Sequence, residues 1–123
     1  MSNADLTKDL DANPLVAELI TKTKFGKLQW VPTPAESTFV TSIGGNTTLR
    51  ASLTTMWELD DYGNPDTVTV PQLHLLDEKG QTLWIINQSD VKGGLWPLFK
   101  LVRRVANKVD ERMSTLLDAL KAL

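Results

Sequence analysis

The chain has 123 residues, of which 41% are hydrophobic and 23% charged, a composition typical of one soluble globular domain. It contains no cysteine, which excludes disulfides, thiolate nucleophiles and cysteine-based metal sites. The net charge of −2 is uneven, because residues 1–91 carry 6 basic and 12 acidic side chains whereas residues 92–123 carry 7 basic and 3 acidic ones.

The N-terminus shows no targeting signal. Residues 1–5 lack the basic and apolar regions of a signal peptide, and no apolar run approaches the roughly 20 residues of a membrane span. We therefore expect a cytoplasmic protein with no membrane partner. We also expect residues 1–12 to be loose or frayed, and residues 1–123 to form a single domain.

The first predicted element is a helix over residues 14–24. Asn13 is a favoured N-cap, and Pro14 fits the first helical position because its missing N–H has no partner there. The helix is expected to stop at Gly26. Its apolar face is formed by Leu15, Val16, Leu19 and Ile20.

Strand patterns follow this helix. We predict strands over residues 28–31, 38–43, 48–59, 68–76 and 81–86, joined by short turns rich in Gly, Asn and Asp. The third strand alternates apolar and polar residues, which places Trp57 on its apolar face and in the expected core. In the fourth strand the alternation slips around Pro71, which indicates a bulge or an edge position. Short turns between consecutive strands predict a five-stranded antiparallel meander.

The longest pattern in the chain is the C-terminal one. Eight apolar residues recur at alternating spacings of four and three, as on one side of a helix: Leu95, Phe99, Val102, Ala106, Val109, Met113, Leu116 and Leu120. The stripe is wider in its first half, which is typical of a helix packed on a globular core. The predicted fold class is therefore α+β, with an N-terminal helix, the meander sheet and a long C-terminal helix packed on one sheet face.

The predicted long helix is too long for the domain. Residues 95–121 would span about 40 Å at the α-helical rise, whereas a compact domain of this size is about 35 Å across. We therefore expect the helix to bend, to break near residues 107–110, or to project its C-terminal half toward a partner.

No catalytic or metal-binding motif is present. His74, the only histidine, lies between two leucines in a predicted strand. The chain has no nucleophile-elbow sequence such as G-x-S-x-G, whose serine would need a histidine as its general base. The acidic turn at residues 58–66 lacks the ligand spacing of an EF-hand, and Gly93-Gly94 belongs to neither a P-loop nor a dinucleotide-binding motif. We predict no catalytic residues, no metal and no cofactor, and we favour a non-enzymatic protein over an enzyme that uses a carboxylate pair such as Asp60 and Asp61.

Two surfaces are candidates for contacts with a partner. The basic face of the long helix is interpreted either as a solvated face or as a contact for an acidic partner, and a pI near 5.3 argues against nucleic acid. In the last strand, the pairs Leu83 with Ile85 and Trp84 with Ile86 point to opposite sides, so one pair must face away from the core if helices cover only one side.

The order of elements is similar to that of bacterial secretion-chaperone folds. That resemblance implies a non-catalytic and often dimeric protein. Those folds place a helix within the order of the strands, and the short turn after Leu59 has no room for one.

We therefore predict a non-enzymatic protein-interaction or regulatory module, adaptor-like or chaperone-like, that self-associates as a homodimer through the long helix or the second sheet face. The alternative is a small-molecule-binding domain with an apolar pocket between the sheet and the long helix. The predicted partner contacts are Trp84, Ile86, Trp96, Leu101, Arg103, Arg104, Lys108 and Met113.

Overall fold

A computed structural model describes residues 10–123 of the chain. It contains three α-helices, five strands and one short 3-10 helix over Gln88–Asp90. The elements in chain order are α1 (Asn13–Lys24), β1 (Val31–Pro32), β2 (Phe39–Ile43), β3 (Thr47–Leu59), β4 (Pro65–Leu76), β5 (Thr82–Ile86), α2 (Trp96–Ala106) and α3 (Val109–Lys121). The predicted α+β class is confirmed.

The five strands form one antiparallel sheet in the order β1-β2-β3-β4-β5, which confirms the predicted meander. The two hairpins at β3–β4 and β4–β5 are closed by equivalent turns. In each, an aspartate carboxylate accepts two backbone N–H groups: Asp60 from Tyr62 and Asn64, and Asp77 from Lys79 and Gln81, at 2.8 to 2.9 Å. Aspartate side chains favour turns for this reason, because they satisfy backbone donors that the strands leave free.

The hydrophobic core joins α1, one face of the sheet and α2. This inner face carries Phe39, Leu49, Ala51, Leu73 and Ile86, all of which are buried. The ring of Phe39 lies 5.9 Å from that of Phe99 in α2, centroid to centroid, at an interplanar angle of 57°. The outer face carries the residues between these, among them Val40, Arg50, His74 and Ile85.

The start of α1 differs slightly from the prediction. Asn13 is the first helical residue rather than the cap, and its backbone N–H donates to the Asp11 carboxylate at 3.0 Å. The Asn13 side-chain oxygen instead accepts the backbone N–H of Lys92 at 2.8 Å, which ties α1 to the segment before α2. At the end of the segment predicted to be loose, Ala12 is buried in the core, whereas Leu10 and Asp11 are exposed. Residues 1–9 of that segment lie outside the described residues.

The hairpin of β3 and β4 extends beyond the other strands. Strand β2 pairs with β3 only as far as Ala51, and β5 pairs with β4 only from Leu73 onward. Residues 52–59 and 65–72 therefore pair only with each other, and we call this two-stranded extension the arm. Trp57 lies on the arm and is 75% exposed, so its predicted place in the core is wrong.

The arm also explains the proline in β4. Pro71 pairs with Leu53 of β3 and lies just past the end of β5, where β4 has a free edge. Proline is tolerated at such an edge because it has no N–H to donate to a neighbouring strand. The irregularity in the strand register falls elsewhere, between Leu75 and Leu76.

The predicted long helix is two helices. Helix α2 ends at Ala106, and α3 begins at Val109 after Lys108 adopts a left-handed backbone conformation with φ of 53°. A left-handed residue interrupts the helical hydrogen-bond ladder, and helices commonly end at such a position. The break lies within the region 107–110 where length alone indicated one.

Candidate interaction surface

Helix α3 carries the feature that most indicates an interaction. None of its residues is buried, although its sequence continues the apolar stripe of α2. The stripe side chains of Val109, Met113, Leu116 and Leu120 are 40 to 54% exposed, and Leu117 beside them is 47% exposed. Helices of globular proteins normally bury such a stripe against the core. We call these five residues the α3 stripe.

Within residues 10–123, few contacts hold α3 to the other elements. The Arg104 guanidinium donates through Nε and Nη2 to one carboxylate oxygen of Asp110, at 3.1 and 2.9 Å, across the break. Both side chains are more than half exposed, and exposed ion pairs contribute less than about 1 kcal/mol. A helix of 13 residues is marginal in water without tertiary packing. The single chain therefore gives α3 little stabilisation.

The predicted contact residues of α2 have mixed environments. Trp96 is half-buried, and its ring packs edge-on against Phe99 at 5.9 Å between centroids and an interplanar angle of 87°. Arg103 is exposed, and its guanidinium lies over the Phe99 ring, with the Cζ atom 5.6 Å from the ring centroid. Leu101 is half-buried. Of these three side chains, Trp96 packs against the core of its own chain, and Arg103 lies close to the buried Phe99 ring.

The predicted contacts around the break are more accessible. Lys108 and Met113 are exposed, and Met113 belongs to the α3 stripe. Arg104 is exposed as well, but its ion pair with Asp110 reduces its availability to an acidic partner. Of the eight predicted residues, Met113 is the one that is both apolar and more than half exposed.

The two predicted contacts in β5 lie on the inner face of the sheet. Ile86 is fully buried at 0% exposure and cannot contact a partner from the folded chain, and Trp84 is half-buried against the core. Leu83 and Ile85 face outward and are 63% and 42% exposed. Alternation places the two pairs on opposite sides, but only the packing of the helices decides which side is covered.

The acidic turn and the Gly93-Gly94 segment, which sequence motifs had brought into question, both form hydrogen bonds within their own segments. In the acidic turn, the Asp60 carboxylate is taken up by backbone donors, and residues 10–123 contain no group of three potential metal ligands. In front of α2, the Gln88 side-chain oxygen accepts the backbone N–H of Leu95, at the place that an anion would otherwise take. No helix of residues 10–123 is long and apolar enough to cross a membrane.

The space between the sheet and α2 is nearly filled. A cavity lined by residues such as Ala51, Leu73, Leu98 and Phe99 has a volume of about 10 Å³. That is about enough for a single water molecule. The alternative of an apolar ligand pocket at this place therefore gains no support from the packing.

Comparison with family models, with curated proteins and with solved structures gave no significant match. The resemblance in element order to secretion chaperones therefore gains no support beyond the order itself.

Two groups of exposed or half-buried residues were missed by sequence reasoning. The first is the apolar end of the arm, where Trp57 and Leu59 are 75% and 69% exposed. The second is a polar cluster on the outer face, where Arg50 and His74 lie opposite each other. Their pairing could have been found, because each lies twelve residues from Tyr62 at the centre of the β3–β4 turn.

Proposed function

We propose that the protein is a non-enzymatic interaction module that self-associates, and that the α3 stripe is its contact with a second copy. The observation that carries this proposal is a helix that has an apolar stripe and no buried residue. Burying an apolar surface is the main favourable term in association. A second copy supplies the missing partner for α3 without requiring another protein.

The stripe is self-complementary. When two α3 helices lie antiparallel, Val109 faces Leu120 and Met113 faces Leu116, so each apolar layer of one helix meets an apolar layer of the other. The flanking Leu117 and Ala119 add apolar surface, so no like charges oppose each other along this seam. Such a contact is isologous and closes as a twofold dimer.

Helix α2 and the sheet have the role of a scaffold in this proposal. The core of the chain is complete without α3, because Phe99, Val102 and Ala106 of α2 are already buried. A helix of 13 residues is about 20 Å long, and its apolar face alone is smaller than the roughly 800 Å² per partner of a standard interface. We therefore expect dissociation constants on the order of micromolar rather than nanomolar.

Sedimentation equilibrium of the wild-type chain and of Leu116→Asp tests the proposal. Leu116 is 53% exposed in the monomer, so a charge there leaves the fold intact but places an unpaired carboxylate in the apolar seam. We expect the wild type to dimerise with increasing concentration and Leu116→Asp to lose at least about tenfold in affinity.

Ser114→Asp is the matched control. It introduces the same charge on the exposed face of α3 that lies away from the stripe, so dimerisation should be preserved. A strictly monomeric wild type at high concentration contradicts the proposal. So does equal association of the wild type and Leu116→Asp.

A further inference from the structure

The outer face of the sheet contains a groove that the proposed dimer contact does not use. It is a shallow groove that is largely open to solvent, and its volume is about 690 Å³. Strand residues on its floor include Val40, Arg50, Ser52 and His74, and one wall is formed by the loop of residues 33–38.

The loop that forms this wall is held in shape by its own hydrogen bonds. The Thr33 backbone N–H and hydroxyl both donate to the carbonyl of Thr38 at 3.0 Å, and the Ala35 N–H donates to the Thr33 hydroxyl at 3.2 Å. The Thr38 hydroxyl donates to the carbonyl of Glu36 at 3.0 Å. These bonds all lie within residues 33–38, so the loop holds its own shape and the wall is preformed.

A directed chain of hydrogen bonds crosses the floor. Arg50 Nη2 lies 3.2 Å from Nδ1 of His74, and because arginine can only donate, Nδ1 is the acceptor. The neutral ring then carries its proton on Nε2, which donates to Gln72 Oε1 at 3.1 Å. Gln72 Nε2 in turn donates to Asn87 Oδ1 at 2.8 Å. The chain fixes both the histidine tautomer and the position of the guanidinium.

Among the described residues 10–123, Arg50 is the one cation that lines the groove. It is half-buried, and none of the ion pairs within residues 10–123 includes it. A guanidinium has five N–H donors, and its bond to His74 uses one of them. Partial removal of a charge from water has a cost, which an anion bound to Arg50 would offset. Glu36, the acidic residue of the loop, is exposed and does not line the groove.

We propose that this groove binds a small organic carboxylate with an apolar body. A carboxylate matches the planar donors of Arg50 in geometry and in charge, because one arginine balances one negative charge. The Ser52 hydroxyl, two residues from Arg50 on the same face of β3, is a further donor, and the apolar body packs against Val40, which pairs with Arg50, and against Pro34. Neutral His74 holds the guanidinium in place and is a positioning residue.

The two-dimensional NMR spectrum of the protein, titrated with sodium benzoate and with sodium hexanoate, tests this inference. We expect saturable shifts of the Arg50, Ser52 and His74 signals with at least one of the two carboxylates. Benzamide, which has the shape of benzoate without its charge, should bind at least about tenfold more weakly. Inorganic phosphate should also bind more weakly, because it has no apolar body.

Arg50→Gln should weaken carboxylate binding about tenfold or more, whereas Arg104→Gln on the exposed surface of α2 should leave binding unchanged. If Arg50→Gln proves unfolded by circular dichroism, Ser52→Phe fills the groove while retaining the arginine and should also abolish binding. Absence of saturable shifts with both carboxylates overturns the inference. So does equal binding of benzamide, tighter binding of phosphate, or unchanged binding by the folded variants.

This inference does not depend on self-association. Leu116→Asp lies on α3, which contributes no residue to the groove, so the monomeric variant should bind the carboxylate as the wild type does. The dimer proposal and the carboxylate-site proposal can therefore be contradicted independently of each other.

Discussion

At the residue scale, Gly94 illustrates how one side chain can determine how a helix begins. Its backbone has φ of +74°, and a Cβ atom added there would lie 2.5 to 2.8 Å from the side-chain atoms of Gln88. The same Gln88 side chain accepts the N–H of Leu95, directly before the first residue of α2. Gly94 therefore supplies both the left-handed turn and the space for this cap.

Gly94→Ala should destabilise the protein by about 2–3 kcal/mol, from about 1–2 kcal/mol of backbone strain and about 1 kcal/mol for the lost hydrogen bond. Gly80→Ala is the matched control, because Gly80 has φ of +79° and open space around its Cβ position. It should cost only the strain. Urea unfolding measures both values, and equal losses would show that the Gln88 contact contributes nothing.

His74 is the residue whose charge state the fold controls most clearly. Burial first, and the neighbouring Arg50 guanidinium second, lower the pKa of His74 below its ordinary value of 6.5. The folded state thus favours the neutral ring that accepts a hydrogen bond from Arg50.

Because the pKa is lowered on folding, the contribution of His74 is fully present above pH 6.5 and is lost as the pH falls through the folded-state value. An NMR titration of the His74 ring should give a pKa below 6.5. Arg50→Gln should raise this pKa only in part, because burial remains. A ring pKa at or above 6.5 in the wild type would contradict this account of the cluster.

At the element scale, the break between α2 and α3 shows the limit of periodicity. Apolar residues recur at alternating spacings of three and four from Phe99 to Leu120 without interruption. The pattern therefore gives no sign of the break, because it depends only on which residues are apolar. The break depends on the backbone of Lys108, a residue type that is common inside helices. Helix length against domain size indicated the region of the break, but no single residue signalled it.

Lys108→Gly should be neutral or should stabilise the chain by up to about 1 kcal/mol, because glycine adopts the left-handed conformation without steric cost. Lys100→Gly, on the exposed face of α2, should instead destabilise by about 1 kcal/mol, the usual cost of glycine inside a helix. Thermal unfolding of the two variants distinguishes these outcomes. Equal destabilisation by both would mean that α2 and α3 form one continuous helix in solution.

The arm shows a second limit. The alternation in β3 correctly places Trp57 on the same side of its strand as buried Leu49 and Ala51. Burial on that side also requires a covering layer, and Trp57 lies beyond the ends of β2 and β5. Local pattern therefore predicts orientation, whereas depth depends on how far the neighbouring elements reach.

The same distinction applies to the candidate surfaces. The class, the five strands and their order follow from turn residues and alternation. The exposure of Leu83 and Ile85 rather than Trp84 and Ile86 does not, because it depends on which side the helices cover. The apolar stripe of α3 is visible in the sequence, but only the structure shows that nothing in residues 10–123 buries it.

At the scale of the whole molecule, two proposed functions occupy separate surfaces. The core of α1, α2 and the sheet is complete, the outer-face groove is open, and α3 extends beyond the core with its stripe exposed. In this account the free chain leaves α3 only marginally helical, and the second copy stabilises it by mass action. Helix α3 and the dimer then form together.

Hydrogen exchange measured at two protein concentrations tests this coupling most directly. At about 0.05 μM, well below the expected micromolar dissociation constant, amides of residues 110–121 should exchange rapidly. At about 200 μM they should become protected, while amides of residues 96–106 in α2 should be protected equally at both concentrations. Protection of α3 that is the same at the two concentrations would contradict the account.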